Sequence, residues 1–127
     1  MAFIEHVNVT VKDPKVTAQM LCDVFGWKIR WEGEAINGGY TIHVGTDTHY
    51  LAVYSGPDHS KKGQPIDTYI TPGGLNHVGI VVPDLDAVEV KVKAKGYVPG
   101  SHQDYEPGRR FYFTEENGVE IEVVCYD

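Results

Sequence analysis

Residues 3–11 alternate, with Val7, Val9 and Val11 on one side and His6, Asn8 and Thr10 on the other, a period of two that predicts a strand. A helix signal follows. Asp13 suits an N-cap, Pro14 suits the first helical position, where a missing N–H costs nothing, and Gly26 suits the stop. Between them Val16, Met20 and Val24, with Leu21 and Phe25, make an apolar stripe at helical spacing. Three more strands are expected near 27–34, 38–44 and 48–55, broken by Gly33 and by the hairpin signal Asn37-Gly38-Gly39.

The pattern then returns. His6-Val7-Asn8-Val9-Thr10-Val11-Lys12-Asp13 is echoed by His77-Val78-Gly79-Ile80-Val81-Val82-Pro83-Asp84 at an offset of 71, and the same offset places Val53 on Val124. Gly26-Trp27 and Gly96-Tyr97 match at 70. Two modules result, 1–56 and 73–127. In the second, the stretch from Asp86 to Lys93 alternates with period two and by itself reads as a strand. The repeat, the Asp84 cap, the lysines near its end and Gly96 argue for a helix there instead. Strands near 97–101, 109–114 and 118–125 complete the module. Residues 57–72, rich in Gly, Pro, Lys and Asp, read as a surface connection, part of which is long enough to cover a pocket.

Length and charge narrow the function. With 127 residues the chain is expected to form a single domain, 1–127. A formal charge of −7 argues against a nucleic-acid binder, which needs a cationic face, and no basic cluster is long enough to hold an anionic membrane. No apolar stretch approaches the roughly 18 residues of a membrane span. The first residues lack the pattern of a signal peptide, and two cysteines, Cys22 and Cys125, are too few for a disulfide framework. A cytoplasmic protein is the expectation. Both cysteines read as small apolar fillers.

A tandem βαβββ repeat with a histidine on the first strand of each half resembles the vicinal oxygen chelate superfamily, which includes glyoxalase I, bleomycin and fosfomycin resistance proteins and extradiol dioxygenases. The segments carrying the likeness run from Leu75 to Asp84 and from Phe111 to Val123, where Glu115-Glu116-Asn117-Gly118 stands for the family's usual Asp-Pro-Asp-Gly turn. The resemblance implies an α+β fold in which the two modules form a curved eight-stranded mixed sheet, a cup with the helices outside. It also implies metal ligands on the first and last strand of each module, which fall on His6, Leu51, His77 and Glu122. Three of these are competent and leucine is not. Homodimers are common in the family, often with each metal shared between chains, so a homodimer is expected.

Two imidazoles and a carboxylate suit a divalent metal, with Fe, Mn, Ni, Zn and Co all open, and leave coordination sites for substrate. A carboxylate buried among apolar groups is costly unless a cation compensates it, which supports a metal at Glu122. Glu120 shares its face, one step nearer the rim. His49, two residues before Leu51, reads as a substitute fourth ligand, a base standing behind the metal, or an ordinary cavity residue. Tyr54 and Tyr112 fall on strands expected to line the cup, where a phenol donates to an anionic oxygen or simply packs. The resemblance places substrate against a tyrosine at the position of Tyr112. His43, His59 and His102 have no evident partner and read as solvated. Arg109 and Arg110 read more readily as a solvated pair than as a clamp on a substrate carboxylate or phosphate.

The leading expectation is a metal-dependent enzyme of glyoxalase or dioxygenase type (a lyase, isomerase or ring-cleaving dioxygenase) acting on a small oxygenated molecule bound through two oxygens. Its catalytic candidates are His49, Tyr54 and Tyr112, and its metal candidates His6, His77 and Glu122. The rival is a protein of bleomycin-resistance type that sequesters a small molecule without metal. A regulatory module using the fold without chemistry is a third possibility.

Overall fold

The computed structural model describes residues 1–57, 66–105 and 108–126. The chain divides into two compact units, 1–65 and 66–127. Each carries the order strand, helix, strand, strand, strand, and the eight strands hydrogen-bond as two four-stranded mixed sheets. Of the connection, residues 58–65 lie outside the described residues.

The first unit contains β1 (His6–Thr10), α1 (Pro14–Phe25), β2 (Lys28–Glu34), β3 (Tyr40–Gly45) and β4 (Tyr50–Ser55). The helix begins and ends where the sequence signals it. Asp13 accepts a hydrogen bond from the Lys15 N–H, Pro14 opens the first turn, and Gly26 closes the last with a φ of 70°. Thr17, Met20, Leu21 and Val24 are buried under the helix, against Ile42 and Val44 of β3 and Leu51 and Val53 of β4. Strand order is β1-β4-β3-β2, with β1 parallel to β4 and the other pairs antiparallel. Because side chains alternate across a sheet, burying Ile42, Val44, Leu51 and Val53 beneath α1 sends Thr41, His43, Ala52 and Tyr54 to the opposite, open face.

The second unit contains β5 (Val78–Val81), α2 (Leu85–Ala94), β6 (Gly100–Tyr105), β7 (Gly108–Thr114) and β8 (Glu120–Cys125), in the order β5-β8-β7-β6. The segment from Asp86 to Lys93 is helical despite its period of two. The Asp84 carboxylate accepts from the Ala87 N–H at 3.0 Å, Lys91 and Lys93 sit in the last turn, and Leu85 and Val92, two turns apart, are buried while Val90 faces outward. End chemistry and a narrow buried stripe therefore override the alternation. The sixth strand begins at Gly100, later than the 97–101 expected, because Tyr97 instead stacks on Phe113 and bonds Glu116.

The register corrects one equivalence. Opposite β1, Asn8 pairs with Ala52, and opposite β5 the matching Gly79 pairs with Glu122. The position equivalent to Glu122 is thus Ala52, not Leu51. The repeat offset shortens by one residue between the first and last strands, and a slip of one residue exchanges the faces of a strand. Leu51 is buried on the helix side. Neither leucine nor alanine carries a side chain that can ligate a metal.

Candidate functional sites

On the open face of the first unit, rings stand side by side across four strands. His6 stacks on Tyr50 with centroids 4.9 Å apart, Tyr50 on His43 at 4.6 Å, and His43 meets the Trp31 edge at 5.3 Å. The Arg30 guanidinium lies 4.5 Å from the centre of the Tyr50 ring. His6 Nδ1 is 2.9 Å from Glu5 Oε1, and this contact holds the Glu5 carboxyl below its ordinary range. His43 is half-buried. Burial, then the neighbouring His6 and Arg30 charges, holds its pKa below the ordinary histidine value, so at neutral pH the ring is uncharged.

Beside this row opens a cavity of about 500 Å³, within the range of small-molecule pockets. Asn8, Thr41, His43 and Tyr54 form its floor, Trp31 one wall, and residues 34–37 its rim. Two glycines let aromatic rings lie close to the backbone. A methyl on Gly33 would come within 2.8 Å of the Trp31 ring, and one on Gly39 within 2.4 Å of the Tyr54 ring. The Tyr54 hydroxyl donates to the Ile36 carbonyl at 3.1 Å and ties the rim to the sheet. Thr41 is only 6% exposed, yet its hydroxyl has no hydrogen-bond partner among the described residues. A buried polar atom without a partner costs free energy.

The open face of the second unit is ionic. His77 Nε2 lies 3.1 Å from Glu122 Oε1, and its Nδ1 is 2.6 Å from the Asn76 side-chain oxygen. The other Glu122 oxygen accepts from Arg110 Nη1 at 2.9 Å. Arg110 and Glu122 are 12% and 13% exposed, so this is a nearly enclosed pair. Tyr112 meets the His77 ring edge-on at 5.6 Å, and burial, followed by the Glu122 charge, raises its phenol pKa. Tyr69 donates to Glu120, and that hydrogen bond chiefly pushes the Tyr69 pKa up to about 12.

Of the expected site residues, His77, Glu122 and Tyr112 therefore meet in one cluster, while Tyr54 lines the cavity of the first unit. His6 is in the ring row. His49 sits in the turn before β4, edge-on to Trp27 and beside the Thr46 and Thr48 hydroxyls, and joins neither site. Three histidines were expected to be solvated. His43 is instead part of the cavity, and His102 pairs with Glu89 at 3.0 Å and stacks on Phe111; His59 lies outside the described residues. The arginines are paired too, Arg110 with Glu122 and Arg109 with Asp86. Thr41, Trp31 and Asn8 carried no motif. Their only signal was the strand alternation that puts Thr41 and His43 opposite Ile42 and Val44.

The buried carboxylate that argued for a metal thus has its cation in Arg110. Among the described residues, no group of three or more His, Cys, Asp or Glu side chains is placed to hold a metal ion. Within the second unit His77 and Glu122 bring two donors together, and the Glu122 oxygen turned away from His77 is held by the Arg110 guanidinium.

No helix among the described residues is long and apolar enough to cross a membrane. No curated protein matches the chain in sequence. Solved structures do match in fold. A glyoxylase/bleomycin resistance protein/dioxygenase domain from Frankia sp. EAN1pec superposes with a TM-score of 0.83 at 18% identity, covering 100% of this chain and 93% of that one. TnmS3, an antibiotic binding protein from Streptomyces sp. CB03234, gives 0.75 at 16%, covering 100% and 98%. The fosfomycin resistance protein FosX from Listeria monocytogenes gives 0.72 at 16%, covering 100% and 95%. The family model described as Glyoxalase/Bleomycin resistance protein/Dioxygenase superfamily matches residues 3–123, nearly the whole chain, and with the repeated βαβββ order this chain belongs to that superfamily.

Proposed function

We propose that the chain is a small-molecule-binding protein of its superfamily, holding an oxygenated organic compound in the cavity on the open face of the first unit. The observation that carries this reading is a cavity of about 500 Å³ lined by Trp31, His43, Tyr54 and Asn8. Its walls are aromatic and its few polar groups converge, the usual composition of a ligand site. Asn8 and His43 orient the compound by hydrogen bonds, and Trp31 and Tyr54 exclude water from its apolar part. A thermal-shift screen of neutral and charged small molecules tests this. Compounds that raise the melting temperature of the native chain should do nothing for Ala35→Trp, whose indole occupies the cavity. Equal shifts in both proteins would reject the cavity as the binding site.

The second reading is a metal-dependent enzyme of glyoxalase or dioxygenase type, with His6, His77 and Glu122 as ligands and His49, Tyr54 and Tyr112 as catalytic groups. What favours it is the approach of His77 Nε2 to Glu122 Oε1 at 3.1 Å, with Tyr112 alongside. Glu122 would ligate through Oε1, beside His77, while Oε2 keeps its hydrogen bond from Arg110. The metal would supply Lewis-acid polarisation of a substrate oxygen. Metal analysis of protein purified without a histidine tag decides it: stoichiometric metal lost in His77→Ala supports this reading, and metal-free protein that still binds a ligand supports the first. A homodimer belongs to either reading and is read by light scattering.

A further inference from the structure

Beside the cavity of the first unit stands a cation, Arg30, and the inference drawn from it rests on the binding reading above. We infer that the ligand is an aromatic carboxylate, its ring laid against Trp31 and His43 and its acid group paired with the Arg30 guanidinium.

Three observations converge on this class. First, the backbone sets a guanidinium and an indole side by side. Ile29 pairs with Val44 and Trp31 with His43, so β2 carries one residue more than β3 there, a bulge at Arg30. The extra residue resets the alternation, and Arg30 and Trp31 project to one face instead of opposite ones. Arg30 accordingly lies 4.5 Å from the Tyr50 ring centre and Trp31 meets His43 at 5.3 Å. Because His43 stacks on the same tyrosine at 4.6 Å, the cation and the aromatic wall of the cavity are neighbours. Second, Arg30 has no ion pair among the described residues. The acids that feel its charge, Glu5 and Asp47, are each held by another donor, His6 and Lys28. A guanidinium backed by a ring keeps its N–H edge for a planar carboxylate. Third, the second unit shows such an arrangement completed from within. There the Glu122 carboxylate lies between His77 and Arg110, beside Tyr112. At the position matching Glu122 the first unit has Ala52, next to His43, so its histidines and its arginine have no carboxylate of the chain between them there. A ligand's acid group takes that place, although Arg30 reaches the face from β2 and not from the strand matching β7. Glu34, which ends β2 at the cavity rim, repels an anion at that end and so directs the acid group toward Arg30.

Three probes with one skeleton separate the contributions: 2-naphthoate (anionic and aromatic), 2-naphthol (neutral and aromatic) and decahydro-2-naphthoate (anionic and saturated). Binding to the full chain is measured by calorimetry near pH 7. The expected result is that 2-naphthoate binds at least about tenfold more tightly than either of the others. Arg30→Gln should weaken 2-naphthoate about tenfold and leave 2-naphthol within about twofold, with circular dichroism unchanged. Trp31→Leu should abolish the advantage of 2-naphthoate over the saturated acid. Equal or tighter binding of 2-naphthol overturns the anionic class, and equal binding of the saturated acid overturns the aromatic one. Unchanged 2-naphthoate affinity in Arg30→Gln overturns the assignment of Arg30. If 2-naphthol binds best and Ala35→Trp removes it, the cavity remains a ligand site and only the ligand class is wrong. If none of the three binds the native chain, the aromatic carboxylate is rejected, and the thermal-shift comparison with Ala35→Trp decides the cavity separately.

Discussion

Thr41→Val inverts the usual consequence of a buried threonine substitution. Thr41 lies on β3, inside the sheet order β1-β4-β3-β2, and is 6% exposed. A buried hydroxyl without a partner carries a desolvation cost of about 1–3 kcal/mol. Valine has the same shape, adds one methyl to the buried surface and suits a strand at least as well. The expected stabilisation is at the low end of that range, about 1 kcal/mol. For a chain of 127 residues that corresponds to a rise in melting temperature of roughly 3–5 °C, and to a urea midpoint higher by roughly half a molar. Thr41→Ser is the control. It keeps the hydroxyl and deletes the methyl, so it should lose about 1 kcal/mol. Urea unfolding followed by circular dichroism measures all three proteins. If valine and serine both destabilise, the hydroxyl is satisfied in solution and the reasoning fails.

Other outcomes follow from the same geometry. Gly33→Ala should push the Trp31 ring off the sheet, shift its emission and weaken cavity ligands severalfold with little change in secondary structure, because the added methyl would stand 2.8 Å from the indole. Ultraviolet titration should find one phenol ionising near 12, and Glu120→Gln should return it toward the ordinary value; the Tyr69 contact stabilises the fold fully below about pH 10 and is lost as pH rises through about 12. Asp84→Ala should destabilise by about 1 kcal/mol, read by urea unfolding, because α2 relies on that cap more than on its weak apolar stripe.

Much of the fold was legible in the chain. Asp13, Pro14 and Gly26 delimit α1 by local chemistry alone, and the His6 and His77 segments announce the repeat and with it the βαβββ order. The repeat even rescued α2, where Val88, Val90 and Val92 by themselves would have been a strand. Less of the site could be read, because its residues are joined by pairing rather than by proximity along the chain. Whether Leu51 or Ala52 is the counterpart of Glu122 depends on a register that hydrogen bonding between strands sets, and one residue of slip moves a side chain from the core to the open face. Glu122 has its countercharge twelve residues back, across the β7–β8 ladder, so a lone buried acid in the sequence becomes a paired one in the fold. Likewise Thr41, His43 and Trp31 are unremarkable letters until β2 and β3 align. Local propensity and periodicity specified the elements and the superfamily. Only the packing of strands side by side decided which polar groups acquired partners, and left the Thr41 hydroxyl without one among the described residues.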